Sequence, residues 1–104
     1  MAKIVADQLV EMLVQAGVKR VYAVTGDSLN FFNEAIRKDG RIKWIHVRHE
    51  EVGAYAAAAE AELDGIACCA GSCGPGHVHL INGMYDAHKS HVPMLVIAST
   101  INTH

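Results

Sequence analysis

Short apolar runs that end in glycine-bearing turns alternate with helix-forming segments along the whole chain, and that alternation leaves few architectures open. Residues 20–24, Arg-Val-Tyr-Ala-Val, read as a short buried strand broken by Gly26, after which Leu29, Phe32, Ala35 and Ile36 recur at helical spacing. Asp27 or Ser28 is the expected cap of that helix. The unit then repeats. Asp39-Gly40 makes a turn, residues 42–47 form a strand, and the alanine-rich stretch from about residue 50 to 63 has high helix propensity and is closed by Gly65. Residues 66–70 form a third strand, 71–76 a loop, and 77–87 a helix with Pro75 in its first turn. Pro93 introduces a fourth strand at 94–98, and an amphipathic helix through Val5, Leu9, Met12, Leu13 and Ala16 precedes everything, stopped by Gly17.

Strands and helices that alternate through short loops require a parallel sheet with right-handed crossovers and helices on both faces. The fold class expected is therefore α/β, an open parallel sheet. In such sheets ligands sit beyond the carboxyl ends of the strands, where the strand order reverses. If the order is 2-1-3-4, Thr25-Gly-Asp-Ser28 and Gly71-Ser-Cys-Gly-Pro-Gly76 meet at that place. The fourth strand is followed only by Thr100-Ile-Asn-Thr-His104, with no covering helix. An apolar sheet edge left that way invites self-association, so a fragment or a tight oligomer is expected.

The 104 residues, 51% hydrophobic and 19% charged, suit one compact unit with a modest core. A net charge of −2 with mixed signs gives no basic stripe, which argues against a nucleic-acid partner and against binding to lipid headgroups. The amphipathic start is neither a signal peptide nor a membrane span, and the cytoplasm is the default location. Cys68, Cys69 and Cys73 match neither a redox pair nor a zinc set and read as reduced, small core residues. The seven histidines are scattered, and the closest pair, His77 and His79, lacks the further ligands zinc needs, so no metal site is expected in this chain.

Two segments are placed to carry chemistry. Arg48-His-Glu-Glu51 falls where the second strand gives way to the third helix. A carboxylate there projects from the carboxyl end of the sheet beside a helix N-terminus, although acidic residues also commonly fill a first turn for that electrostatic reason alone. The helix after it is built largely of alanine and glycine, which suits a tight interface, a cofactor wall, or simple helix propensity. In Gly71-Ser-Cys-Gly-Pro-Gly76, glycines let a ligand approach the backbone and Pro75 stiffens the turn. The spacing G-x-x-G-x-G differs from the dinucleotide order, so a structural turn competes with ligand binding here.

Taken in order and spacing, Val24-Thr-Gly-Asp-Ser-Leu-Asn30, Val47-Arg-His-Glu-Glu-Val52, Ala70-Gly-Ser-Cys-Gly-Pro-Gly76, His79-Leu-Ile-Asn-Gly83 and His91-Val-Pro93 resemble the N-terminal pyrimidine-binding domain of thiamine-diphosphate-dependent pyruvate oxidases and quinone-reducing pyruvate dehydrogenases. The resemblance implies that Glu50, the acid directly after His49, hydrogen-bonds N1′ of the cofactor's aminopyrimidine and promotes the imino tautomer that activates the thiazolium. It places Gly26 and Asp27 beside the reacting end of the cofactor and Ser72, Pro75 and Gly76 along the aminopyrimidine. His79 stands where a relative has an active-site histidine, although a satisfied helix histidine fits equally. Asn82 reads as a helix-packing residue. Thr25-Gly-Asp-Ser28 is superficially similar to the metal-diphosphate motif of this superfamily, but its third glycine is missing and it is not read as a metal site.

By the same resemblance, residues 1–104 are part of a thiamine diphosphate-binding domain whose FAD and diphosphate-binding domains lie elsewhere. Mg2+ and FAD belong to the full-length parent, pyruvate is the substrate, and another subunit of a homo-oligomer completes the active site. Membrane association would come only through segments outside this chain. The parent is expected to decarboxylate pyruvate oxidatively, and these residues alone to be inactive. An acetohydroxyacid synthase, a 2-oxo-acid decarboxylase and a non-catalytic self-associating module are the alternatives.

Overall fold

The computed structural model describes residues 3–103. The first helix, α1, spans Val5–Ala16 and ends at Gly17, whose positive φ of 101° only glycine adopts without strain. Strand β1 (Arg20–Ala23) leads through a short 3-10 turn, Asp27–Leu29, into α2 (Asn30–Asp39). Strand β2 (Lys43–His46), α3 (Glu50–Asp64) and β3 (Ala67–Gly71) follow. The last elements are the short α4 (Pro75–His79), α5 (Ile81–Ser90) and β4 (Met94–Ala98). No helix among the described residues is long and apolar enough to cross a membrane.

All neighbouring strands are parallel and lie in the order β2-β1-β3-β4. The alternation of side chains along each strand splits the core into two layers. Val21 and Ala23 of β1, with Cys68 and Ala70 of β3, face Val10 and Leu13 of α1 and Phe32, Ala35 and Ile36 of α2. Their sequence neighbours Tyr22, Ala67 and Cys69 face the opposite way, onto Ala54, Ala57 and Ala61 of α3 and onto Leu80. Helices therefore cover both faces, as the alternation of elements requires. The strand bounds agree with the sequence reading to within one residue at each end.

Burial pushes the thiols of Cys68 and Cys69 up to about 12, so both are inert neutral side chains of the core. Cys73 departs from the expectation: it is exposed, because it stands two residues past the end of the buried β3, in the loop between β3 and α4.

The expected single helix at 77–87 is also two. Helix begins at Pro75 and tightens at Leu80, whose N–H reaches the His77 carbonyl at 3.2 Å. That tightening seats Leu80, only 1% exposed, over Gly71, where an added Cβ would stand 2.8 Å from Leu80 Cδ1. Propensity cannot announce such a break, since it follows from where one leucine has to be buried.

The alanine-rich face of α3 finds its partner within the chain. A Cβ on Gly83 of α5 would lie 2.2 Å from Ala54 Cβ, so the two helices touch backbone to backbone. At the start of α3, a Cβ on Gly53 would lie 3.1 Å from Val47 Cγ2 and 3.4 Å from the Tyr22 carbonyl oxygen. At the far end of the same helix, Glu60 is buried to 8% exposure and is held by Arg20 and by the Tyr22 hydroxyl, which donates to it at 3.3 Å. These contacts fix α3 against β1 along its length. Gly83→Ala should therefore lower stability by about 1–3 kcal/mol through overpacking, read as a lower urea midpoint with an unchanged slope.

Candidate functional site

The chain runs from β1 outward to β2 and then returns past β1 to β3, so the strand order reverses between β1 and β3. The two loops that leave those strands meet there. Gly26 has an ordinary extended backbone, yet a Cβ on it would fall 2.4 Å from Ser72 Oγ, so glycine is needed for closeness and not for conformation.

Ser28 Oγ lies 2.7 Å from both Ser72 Oγ and Ser99 Oγ and accepts the Cys73 N–H at 3.0 Å. Ser99 directs its own hydroxyl proton to the Gly71 carbonyl at 3.4 Å. It follows that Ser28, with one proton to give, donates to Ser99 and receives from Ser72. One hydroxyl thus ties together the segments that follow β1, β3 and β4. His77 adds a latch by donating its Nε2–H to the Ser99 carbonyl at 2.6 Å.

This network corrects the expected helix cap. Neither Asp27 nor Ser28 makes a side-chain cap bond at the 3-10 turn or at α2. Ser28 is drawn instead to the loop-to-loop contact. Asp27 is exposed and lines a cleft with Ser28, Phe31 and residues 100–102.

Glu50 opens α3 with its side chain only 13% exposed. Its Oε2 lies 2.9 Å from His79 Nδ1 on α4, and its Oε1 lies near Gly76, where an added Cβ would be 3.7 Å away. Burial pulls this carboxyl upward, but the His79 hydrogen bond, the residue's own backbone N–H and the two nearby imidazoles outweigh it and hold the group below its ordinary value of 4.5. An ionised carboxylate only accepts, so His79 Nδ1 carries the proton of that hydrogen bond.

Glu51 points elsewhere: its Oε2 accepts from Asn82 Nδ2 at 2.8 Å, which joins α3 to α5 and bears out Asn82 as a packing residue. The two adjacent acids of Arg48-His-Glu-Glu51 therefore have separate tasks.

The sequence-nominated residues divide accordingly. Glu50, Gly76 and His79 come together at one place on the rim, with Pro75 opening α4 beside them. Gly26 and Ser72 meet at the adjoining loop contact. Asp27 makes no side-chain hydrogen bond to either group among the described residues. Sequence reasoning passed over His49, which caps α3 by accepting the Glu51 N–H at Nδ1, 3.0 Å away, and stacks on His79 with ring centroids 4.1 Å apart. Only its place just before the first helical residue could have suggested the cap, and histidine is not among the favoured cap residues. His49, Glu50 and His79 also offer ligand atoms within 4.8 Å of one another, but Oε2 and Nδ1 are already spent on each other.

A largely shielded carboxylate that keeps one oxygen bonded to an imidazole and aims the other at a side-chain-free patch can hold a proton for a ring nitrogen placed there. Glycine at position 76 keeps a side chain from standing against Glu50 Oε1, and a carboxylate with that oxygen bonded to no other described residue suits the ring nitrogen of an aminopyrimidine.

Residues 3–104 match the family described as thiamine pyrophosphate enzyme, N-terminal TPP binding domain. The chain is 60% identical over 98 residues to an uncharacterized 42.6 kDa protein in the isoamylase 3′ region of Pseudomonas amyloderamosa, covering 93% of this chain and 25% of that protein. It is 46% identical over 97 residues to pyruvate oxidase of Lactiplantibacillus plantarum, covering 91% of this chain and 16% of the oxidase. Over another 97 residues it is 33% identical to acetolactate synthase 3, chloroplastic, of Brassica napus, covering 92% of this chain and 15% of the synthase. The chain thus spans a quarter or less of the length of these curated relatives.

Because the folded pKa of Glu50 is depressed, the stability it contributes is complete above the unfolded value and is lost as pH falls through the lower folded value. Urea unfolding of wild type and Glu50→Gln should show a stability gap that is constant near neutrality and closes only as pH drops below about 4.5.

Proposed function

The chain belongs to the thiamine pyrophosphate enzyme family, as its N-terminal TPP binding domain, and from that premise we propose that it is the pyrimidine-binding part of a pyruvate oxidase or quinone-reducing pyruvate dehydrogenase. The observation that carries this reading is the Glu50 carboxylate, shielded from water, bonded by His79 and lying beside Gly76, which puts no side chain against it. Thiamine diphosphate, when bound, supplies the carbanion chemistry that no amino-acid side chain provides.

The chain's own contribution is acid–base and steric. Glu50 holds a proton at the pyrimidine ring nitrogen and takes it back, while His79 keeps the carboxylate turned toward that nitrogen. The second nitrogen of His79, Nε2, has no hydrogen-bond partner among the described residues and is free to meet pyruvate or a phosphate acceptor. Ser72, Pro75 and Gly76 form the wall along the pyrimidine, and Gly26 with Asp27 stands toward the reacting end. Residues 1–104 form part of one domain. FAD, Mg2+ and the diphosphate are held by segments outside this chain, and a second subunit of a cytoplasmic homo-oligomer closes the pocket.

A second reading, a carbon–carbon-forming acetolactate synthase, draws on the 33% likeness to the Brassica napus enzyme. The higher identity to pyruvate oxidase, 46% over the same length, favours the oxidative reading. The two differ in what consumes the activated two-carbon unit. Adding pyruvate anaerobically to the full-length parent should bleach its flavin absorbance, and a flavin that stays oxidised while acetolactate accumulates would reverse the assignment.

Glu50→Gln is isosteric and removes the titrating proton. In the full-length parent it should lower turnover by roughly 100- to 10,000-fold with an unchanged circular dichroism spectrum. Undiminished activity would remove the carboxylate from the mechanism, and with it the reading of this chain as part of the catalytic machinery.

A further inference from the structure

His49 caps α3, and it is also the chain neighbour of Glu50 and the stacking partner of His79. It is the residue before Glu50, with an extended backbone at φ −154° and ψ 137° that points its ring across the start of α3. A backbone N–H can only donate, so the Glu51 N–H at 3.0 Å fixes His49 Nδ1 as an acceptor and places that ring's proton on Nε2. The ring cannot flip without giving up the cap. Its face lies on His79, with an interplanar angle of 30° and centroids 4.1 Å apart.

His79 needs such a support. It sits at the end of a helix of only five residues, its side chain is 38% exposed, and that side chain's one hydrogen bond among the described residues is to Glu50. One bond leaves a ring free to swing about it.

We propose that His49 is a positioning residue, a platform anchored by the α3 N-terminus that holds the His79 ring in the plane from which Nδ1–H reaches Glu50. The three side chains form a closed circuit: the peptide link joins 49 to 50, the hydrogen bond joins 50 to 79, and the stack joins 79 back to 49. Each closure removes a rotation the other two leave open, which is how a site is held to the small tolerance that proton transfer demands. Only the activity arm of the test below rests on the assignment of Glu50 to the cofactor.

Two substitutions separate cap from platform. His49→Asn keeps a favoured cap acceptor and deletes the ring, whereas His49→Phe keeps a ring to stack and deletes the acceptor. Ring 15N spectra of this chain, free of cofactor, read the His79 tautomer, and kinetics of the full-length holoenzyme read kcat and KM. In His49→Asn the melting temperature should hold while the Nδ1–H tautomer of His79 gives way to a mixture and kcat falls about tenfold or more, with KM for pyruvate changing far less. In His49→Phe the melting temperature should fall while the His79 tautomer and kcat persist.

Unchanged His79 signals in His49→Asn would overturn the proposal. So would losses that track melting temperature in both variants. If His49→Asn does not fold, His49→Phe decides alone: a retained tautomer supports the platform, and a lost one refutes it. A tautomer shift in this chain with a parent that ignores thiamine diphosphate would leave the platform standing and defeat the functional assignment instead.

Discussion

The seating of α3 against the sheet is the contact on which the rest depends. Its first turn rides over the end of β1 because Gly53 presents no side chain to Val47 or to the Tyr22 carbonyl, and its middle is gripped where Gly83 of α5 meets Ala54. A Cβ at Gly83 would force α5 off α3, and one at Gly53 would press on the Val47 side chain. Glu50 begins that helix, so the depth at which α3 sits sets how far its carboxylate stands from Gly76 and His79. The alanine-rich composition that raises helix propensity thus serves a second end, since only small residues allow backbones this close.

Around that helix the polar groups are distributed by a simple rule: each has a different anchor. Glu50 is turned to α4, Glu51 to α5, and His49 back onto its own helix start. Glu60, deepest of the charged groups, is matched by Arg20 and Tyr22 at the opposite end of the sheet. A buried charge without such partners would destabilise the fold by several kcal/mol. Ser28 performs the analogous service for loops, which is why a residue expected to cap a helix is found bridging two strands' exits.

Strand bounds, helix faces and the two-sided covering of the sheet were legible from residues 3–103 because each follows from local periodicity. Leu80 was not, since a helix bends there to bury one side chain over Gly71, and the glycine lies nine positions earlier in a different element. Cys73 was misjudged because the strand before it, with Cys68 and Cys69, is buried while its own loop is not. For the rim, the family resemblance nominated Glu50, Gly76 and His79, and the folded chain brings these together. The same resemblance nominated Asp27, which is exposed and makes no side-chain hydrogen bond to that group among the described residues.

What the sequence determined by itself is therefore the alternation of elements, the parallel sheet it forces, and the family to which the ordered motifs point. Those properties are carried by short-range pattern, and short-range pattern can be read along a string. What only the tertiary structure decided is which of two adjacent acids is shielded, which nitrogen of His79 bears the proton, and that His49 lies against it. Each of these depends on distances between residues about thirty positions apart, and such distances exist only after α3 and α4 have packed on the same face of the sheet.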